Sequence, residues 1–246
     1  MPILGIAASS QSAYPLPPVA GYSLWLDAND PTVFSYSSGS VVSQWNDKSA
    51  NAYHFTEATV AEQPTRNTNQ QNGRAVVSFA ADQLKNLSLN WGSSASTLFI
   101  VAKEDKTAGT GFQNLFTTNA TTGEWGYGIQ NDPGDNIGMF DVGQAFASFG
   151  VTMTNGNADV LVFKSAGLSG SSVTSNLYKN GTAAGANPLT LNNTAAGTGA
   201  SLGSPDSAAV EPFYGYVCEV ILYPSQLNDT DRNLVESFLK TKWGTP

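Results

Sequence analysis

The chain has 246 residues, with 11 Lys and Arg against 19 Asp and Glu, a net charge of −8, one His and one Cys. This acidic balance leaves no basic face for nucleic acid, and the lone Cys and His exclude a disulfide framework or a Cys/His zinc cluster. Ser, Thr, Asn and Gly number 26, 22, 21 and 24, which excludes a helical bundle, while an apolar fraction of 41% excludes disorder and no run is long enough for membrane insertion.

Residues 1–20 differ from the rest. Ile3, Leu4 and Ile6 form a short apolar tag, and Pro15, Pro17 and Pro18 then favour extended backbone. The stretch reads as an arm docking onto a partner protein through Ile3, Leu4 and Ile6, ahead of one domain at 21–246. The alternative is a first edge strand. No positive leader precedes the tag, so no secretory signal is expected.

From residue 21 onward, short apolar or alternating runs recur between Gly, Asn, Asp and Ser clusters, the pattern of antiparallel strands in a sandwich or barrel. Strands are expected at 22–26, 75–79, 96–103, 113–118, 126–130, 137–141, 159–164, 175–179 and 213–223. The continuously apolar Leu98–Ala102 suits a central strand covered on both faces. Segments 166–172 and 181–203 read as long loops. One helix is expected at the end, with Asn228 as N-cap, Leu234, Val235, Phe238 and Leu239 as its apolar stripe, Trp243 as an anchor and Gly244 as its stop.

Three segments then occur in a telling order: Gly21-Tyr-Ser-Leu-Trp-Leu-Asp-Ala-Asn-Asp, Gln44-Trp-Asn-Asp-Lys-Ser-Ala-Asn, and Asn72-Gly-Arg-Ala-Val-Val-Ser-Phe. With Leu177-Tyr-Lys-Asn-Gly-Thr, Phe213-Tyr-Gly-Tyr-Val-Cys-Glu-Val-Ile-Leu-Tyr and the Trp243-Gly244 ending, the chain resembles concanavalin A-like (LamG-type) jelly-roll domains. The resemblance implies an all-β, two-sheet antiparallel jelly-roll sandwich with one short C-terminal helix, and places Trp25 and Trp45 in the core. Ile3-Leu-Gly-Ile-Ala-Ala-Ser-Ser resembles the opening of tailed-phage structural proteins. That likeness implies a virion protein, made in a host cytoplasm and displayed on the particle surface for capsid decoration or tail adhesion. Its partners would be capsid or tail proteins and cell-surface glycans, and a homotrimer is one open arrangement.

Fold alone does not assign chemistry. Glycanases of this family carry a Glu-x-Asp-x-x-Glu strand, which this sequence lacks. Glu219 stands alone and reads as a partly buried structural carboxylate, so a non-enzymatic role is expected. His54 has no triad partners, and Cys218 reads as a small buried hydrophobe. Asp27, Asp30, Asp47 and Asp82 read first as side chains that cap turns and close loops, with Asp27 and Asp47 buried as hydrogen-bond acceptors, and second as candidate Ca²⁺ ligands; no cofactor is required. Trp91, Trp125, Tyr127 and Phe140 lie in or beside Gly-rich segments and are candidates for a sugar-binding rim. A free lectin-like module is thus the alternative to a virion role, with a glycan hydrolase third.

Overall fold

The computed structural model describes residues 14–108, 111–118, 125–130, 134–141, 146–192, 194, 197–204 and 211–246. The tag residues Ile3, Leu4 and Ile6 lie outside the described residues. The first strands are β1 (Leu24–Asp27), β2 (Phe34–Ser38), β3 (Val41–Trp45), β4 (Phe55–Thr56), β5 (Thr65–Gln71), β6 (Arg74–Ala80) and β7 (Leu84–Asn86). The middle of the chain forms β8 (Ser96–Glu104), β9 (Phe112–Thr118), β10 (Trp125–Gln130), β11 (Asn136–Asp141) and β12 (Phe146–Thr152). Then come β13 (Asp159–Ser169), β14 (Ser172–Lys179), β15 (Thr182–Ala183), β16 (Leu189–Asn192), β17 (Ala200–Leu202), β18 (Tyr214–Tyr223) and the helix α1 (Asp229–Trp243).

The pairings are antiparallel and sort the strands into two layers of a jelly-roll sandwich. In one layer β18 has β8 on one side; on the other it has β6 along its first half and β1 along its second. This layer continues from β8 through β13 and β14 to β15 and β16, and from β6 to β5. The other layer runs β4, β7, β17, β9, β10, β11, β12. The β2–β3 hairpin joins them at one edge, since β3 pairs with both β4 and β5.

Central strands are apolar throughout because both their faces are covered. Leu98–Ala102 of β8 is fully buried, with the second layer inside and α1 outside. Trp25, Trp45, Phe99, Phe116 and Phe163 fill the interior. At roughly 25 cal/mol per Å² of apolar surface removed from water, such side chains contribute about 1.5 to 3 kcal/mol each.

The two segments read as loops contain strands. Residues 166–169 prolong β13, and 181–203 contain β15, β16 and β17. Their pairing rests on backbone and hydroxyl partners rather than apolar alternation: Thr174 and Thr190 meet across β14 and β16 with hydroxyls 2.8 Å apart. Polar β2, β5 and β12 lacked the apolar signal for the same reason.

The helix starts and stops where expected. Asn228 Oδ1 accepts the Asp231 N–H at 2.9 Å, and Gly244 adopts φ +63, the left-handed conformation a helix terminator needs. Its buried face, however, is rotated from the predicted stripe. Arg232, Val235, Glu236, Leu239, Lys242 and Trp243 face inward, while Leu234 is 51% exposed. The reason is that the three charged residues find partners below. Arg232 bonds Glu236 at 3.0 Å and lies 3.7 Å from the centre of the Tyr178 ring; Glu236 accepts the Gly181 N–H.

Candidate functional site

The four aromatic residues expected at a rim are interior. Trp125 is 0% exposed, Tyr127 1%, Trp91 3% and Phe140 3%. Three of them interlock: Trp91 and Trp125 centre 5.0 Å apart, and Tyr127 stacks on Phe163 at 3.9 Å with its hydroxyl 2.8 Å from Ser175 Oγ. Neighbouring glycines make room for this packing rather than opening a rim. A Cβ at Gly126 would stand 2.4 Å from the Phe116 carbonyl oxygen.

The candidate calcium carboxylates are likewise used internally. Asp47 Oδ1 accepts the Trp25 and Ser49 N–H groups, each at 2.8 Å, and Oδ2 accepts the Tyr53 N–H at 2.9 Å. Asp30 takes Lys48 Nζ at 2.7 Å and Thr32 Oγ1 at 2.6 Å. Burial alone would raise the Asp30 carboxyl, but these bonds hold it below its ordinary value. Asp82 caps the Ala80 N–H at 2.8 Å on a separate turn, and burial raises its pKa. Lysines and backbone N–H groups thus occupy these oxygens. Among the described residues no three His, Cys, Asp or Glu side chains are disposed to hold a metal ion.

Asp27 is a buried acceptor, as the sequence suggested, but the cluster it joins with Glu219 and Lys242 was not foretold. β1 and β18 place Asp27 opposite Glu219, and the last turn of α1 delivers Lys242 between them. Lys242 Nζ lies 2.7 Å from Glu219 Oε2 and 3.0 Å from Asp27 Oδ2. Trp25 Nε1 and Trp243 Nε1 donate to Glu219 at 2.8 and 2.6 Å. Glu219 is therefore fully rather than partly buried, and it is tied to two indoles and an ammonium. Burial raises its carboxyl pKa, with Lys242 opposing and Asp27 reinforcing the shift. Cys218, also buried, has its thiol pushed up by burial first and then by Glu219.

An open site lies farther along the same strand. Cross-strand register builds two rows: Ser78, Tyr216 and Lys103 are opposite one another, and beside them Ala80 pairs with Tyr214, whose carbonyl accepts the Asp105 N–H at 2.8 Å. Residues two apart on a strand share a face, so Tyr214 and Tyr216 project together. Gly215 between them has φ +149, and its missing Cβ would stand 2.1 Å from the Lys103 carbonyl oxygen. These rows floor a cleft of about 450 Å³, walled by Lys106, Thr107, Asn155 and Gly156.

Its chemistry is mixed. Lys103 Nζ sits 5.6 Å from the centre of the Tyr216 ring and forms no salt bridge among the described residues; Lys106 is paired with Asp135 at 2.7 Å. Asp105 is held below the usual carboxylate range by hydrogen bonds from Thr107 first, and by Lys103. The Tyr216 hydroxyl donates to Gln71 Oε1 at 2.8 Å, and burial pushes its pKa up. The Tyr214 ring and hydroxyl have no hydrogen bond or ring contact among the described residues. Alternation on β18 was the one signal pointing here, but both tyrosines sat inside a run that reads as core.

No protein-family model and no curated protein matches the chain. Solved structures do. A Trypanosoma rangeli sialidase in complex with sialic acid matches at TM-score 0.61 and 14% identity, over 92% of this chain and 34% of that one. The chain thus spans about a third of that sialidase. Domain 4 of AbnA, a GH43 extracellular arabinanase from Geobacillus stearothermophilus, in complex with arabinotriose, matches at 0.55 and 14% identity, over 87% of this chain and 98% of that one. An arabinofuranosidase complexed with arabinofuranosyl-alpha-1,2-xylobiose matches at 0.55 and 14% identity, over 80% and 50%. These neighbours overturn the expected phage-virion role: each is a glycan-directed protein, and none links the fold to a capsid or tail. The chain shares the antiparallel β-sandwich of glycan-binding and glycoside-hydrolase proteins.

Proposed function

We propose that this chain is a non-catalytic carbohydrate-binding module on a concanavalin A-like jelly roll, and that it binds oligosaccharide in the Tyr214/Tyr216 cleft. The observation that carries the reading is the pair of half-buried tyrosines on one face, flanked by Lys103, Asp105 and Asn155. Aromatic faces suit the apolar face of a sugar ring, and convergent polar groups suit its hydroxyls. A matched domain of similar extent that is found with arabinotriose supports the same class of ligand.

Binding is favoured over hydrolysis by where the acids are. Most glycosidases use two carboxyls flanking the scissile bond, sialidases with their tyrosine nucleophile being among the exceptions. Asp27 and Glu219 are close enough to share Lys242, but they are sealed under α1 where no sugar reaches. In the cleft, Asp105 is bonded by Thr107 and buried Glu104 by Gln113.

A glycan array at high protein concentration, followed by titration of any hit against wild type and Tyr214→Ala, tests the proposal. Binding that Tyr214→Ala weakens at least five-fold supports it. A blank array, or an affinity indifferent to that substitution, overturns it.

A further inference from the structure

Glycan binding leaves the sealed Asp27–Glu219–Lys242 cluster without a role beyond packing, yet its parts are those of a reaction. A primary amine stands 3.0 Å from one carboxyl and 2.7 Å from a second, and all three side chains are buried. Neither carboxyl can turn away. Asp27 and Glu219 are opposite each other in the β1–β18 register, and Glu219 is pinned by the Trp25 and Trp243 indoles. Asp27 Oδ1 accepts the Asn29 N–H at 3.0 Å, a donor placed to polarise the carbonyl and to hold negative charge on that oxygen.

Water keeps an ammonium and a carboxylate ionised. Removing water penalises both charges, but Glu219 and Asp27 outweigh that penalty at Lys242 and hold its pKa above the ordinary value, so the reactive neutral amine is a minor form, reached by proton transfer to Asp27. The reactants are also held at contact distance, which replaces a bimolecular encounter by a positioned one.

We propose that Lys242 and Asp27 condense to an intramolecular amide, with Glu219 carrying the proton. The neutral Nζ attacks Asp27 Cγ, and the Nζ–Cγ bond forms while charge collects on Oδ1 opposite the Asn29 N–H. Glu219 takes a proton from the nitrogen and returns it to the departing Oδ2 hydroxyl. The Cγ–Oδ2 bond breaks and water leaves. One amine and one carboxylic acid give one amide and one water, Glu219 is regenerated, and no oxidant, reductant or cofactor takes part. Burial, which raises the Glu219 carboxyl, suits a group that must hold and release this proton.

The competing amine is Lys48, 3.6 Å from Asp27 Oδ2. It is engaged elsewhere, 2.7 Å from Asp30 and 4.1 Å from the centre of the Trp25 ring, and it has no contact with Glu219 among the described residues. Lys242 is therefore the nucleophile.

Intact-mass measurement of the purified full chain, with sequencing of its denatured tryptic peptides, tests the proposal. The expected result is a chain one water lighter than its sequence, with the Asp27 peptide joined to the Lys242 peptide. The linked peptide separates this product from water lost as an aspartyl succinimide. Lys242→Arg and Glu219→Gln should restore the full mass, and Lys48→Arg should leave the link intact. Because the first two replace buried groups and can fail to fold, the wild-type digest decides alone. Asp27 and Lys242 recovered only in separate peptides from wild type of full mass, or a link to Lys48 instead, overturns the proposal.

Discussion

The two halves of β18 share one strand and one sheet but live in opposite environments. From Tyr214 to Val217 the strand pairs with β6, and Tyr214 and Tyr216 on its outer face stay half-open. From Glu219 to Leu222 it pairs with β1, Glu219 meets Lys242 and Trp243 of α1, and every residue from Val217 to Tyr223 is buried. An irregularity between Val217 and Glu219 in the pairing with β8 separates the halves. What covers a strand decides its chemistry more than the strand itself does. Tyrosines left uncovered are available to a ligand, whereas a carboxylate under the helix must be bonded by its neighbours.

The covered half should be the costlier to disturb. Glu219→Ala leaves two indole N–H groups buried without their acceptor and takes from Lys242 the nearer of its two carboxylates, and should lower unfolding free energy by about 3 to 5 kcal/mol. Chemical denaturation checks this, and a loss below about 1 kcal/mol would show that the cluster is not a structural keystone. Trp125→Ala, in the second layer, should cost about 3 to 5 kcal/mol through the cavity it opens. Glycan affinity measured on the folded fraction should stay at the wild-type value, and a specific loss of binding would return Trp125 to the site.

In the open half the order reverses. Tyr214→Ala should weaken glycan binding by about 1 kcal/mol or more, over five-fold, while its melting temperature stays near wild type. A large drop in stability without loss of affinity would make Tyr214 a core residue. The smallest effect concerns Asp30. Its folded-state pKa lies below that of an unfolded Asp, about 3.9. Its stabilisation is therefore present above the unfolded pKa and lost as pH falls through the folded one. The melting temperatures of wild type and Asp30→Asn should differ at neutral pH and converge in strong acid; a gap independent of pH would break the assignment.

Much of the fold was legible because its signals are local. Asn228 and Gly244 mark the helix ends through capping chemistry, and Leu98–Ala102 announces a strand covered twice. The site was not legible, for a physical reason. Sequence shows that Trp125 and Tyr127 sit among glycines, but not whether those glycines leave space or let another strand approach. It shows Arg232, Glu236 and Lys242 on one helix face, but a helix stripe is normally read from apolar residues alone. Their partners on β18 and on the turn after β14 lie far away in the chain. Tyr214 and Tyr216 were hidden by the reverse effect, since they open a run that turns fully buried only from Val217 onward.

The clasp between Trp25 and Glu219 joins residues 194 positions apart, and Lys242, later still, completes it. Contacts of this separation are slow to form, because a long stretch of chain must be brought to order before they repay the cost. During synthesis, β8 has its apolar residues made long before β18 emerges to pair with it. Until then, the edge of β8 that β18 will occupy stays without its strand, a surface that invites association between chains. Ribosome-bound chains halted just before residue 214 should therefore depend on chaperones, and release past Trp243 should end that dependence in one cooperative step.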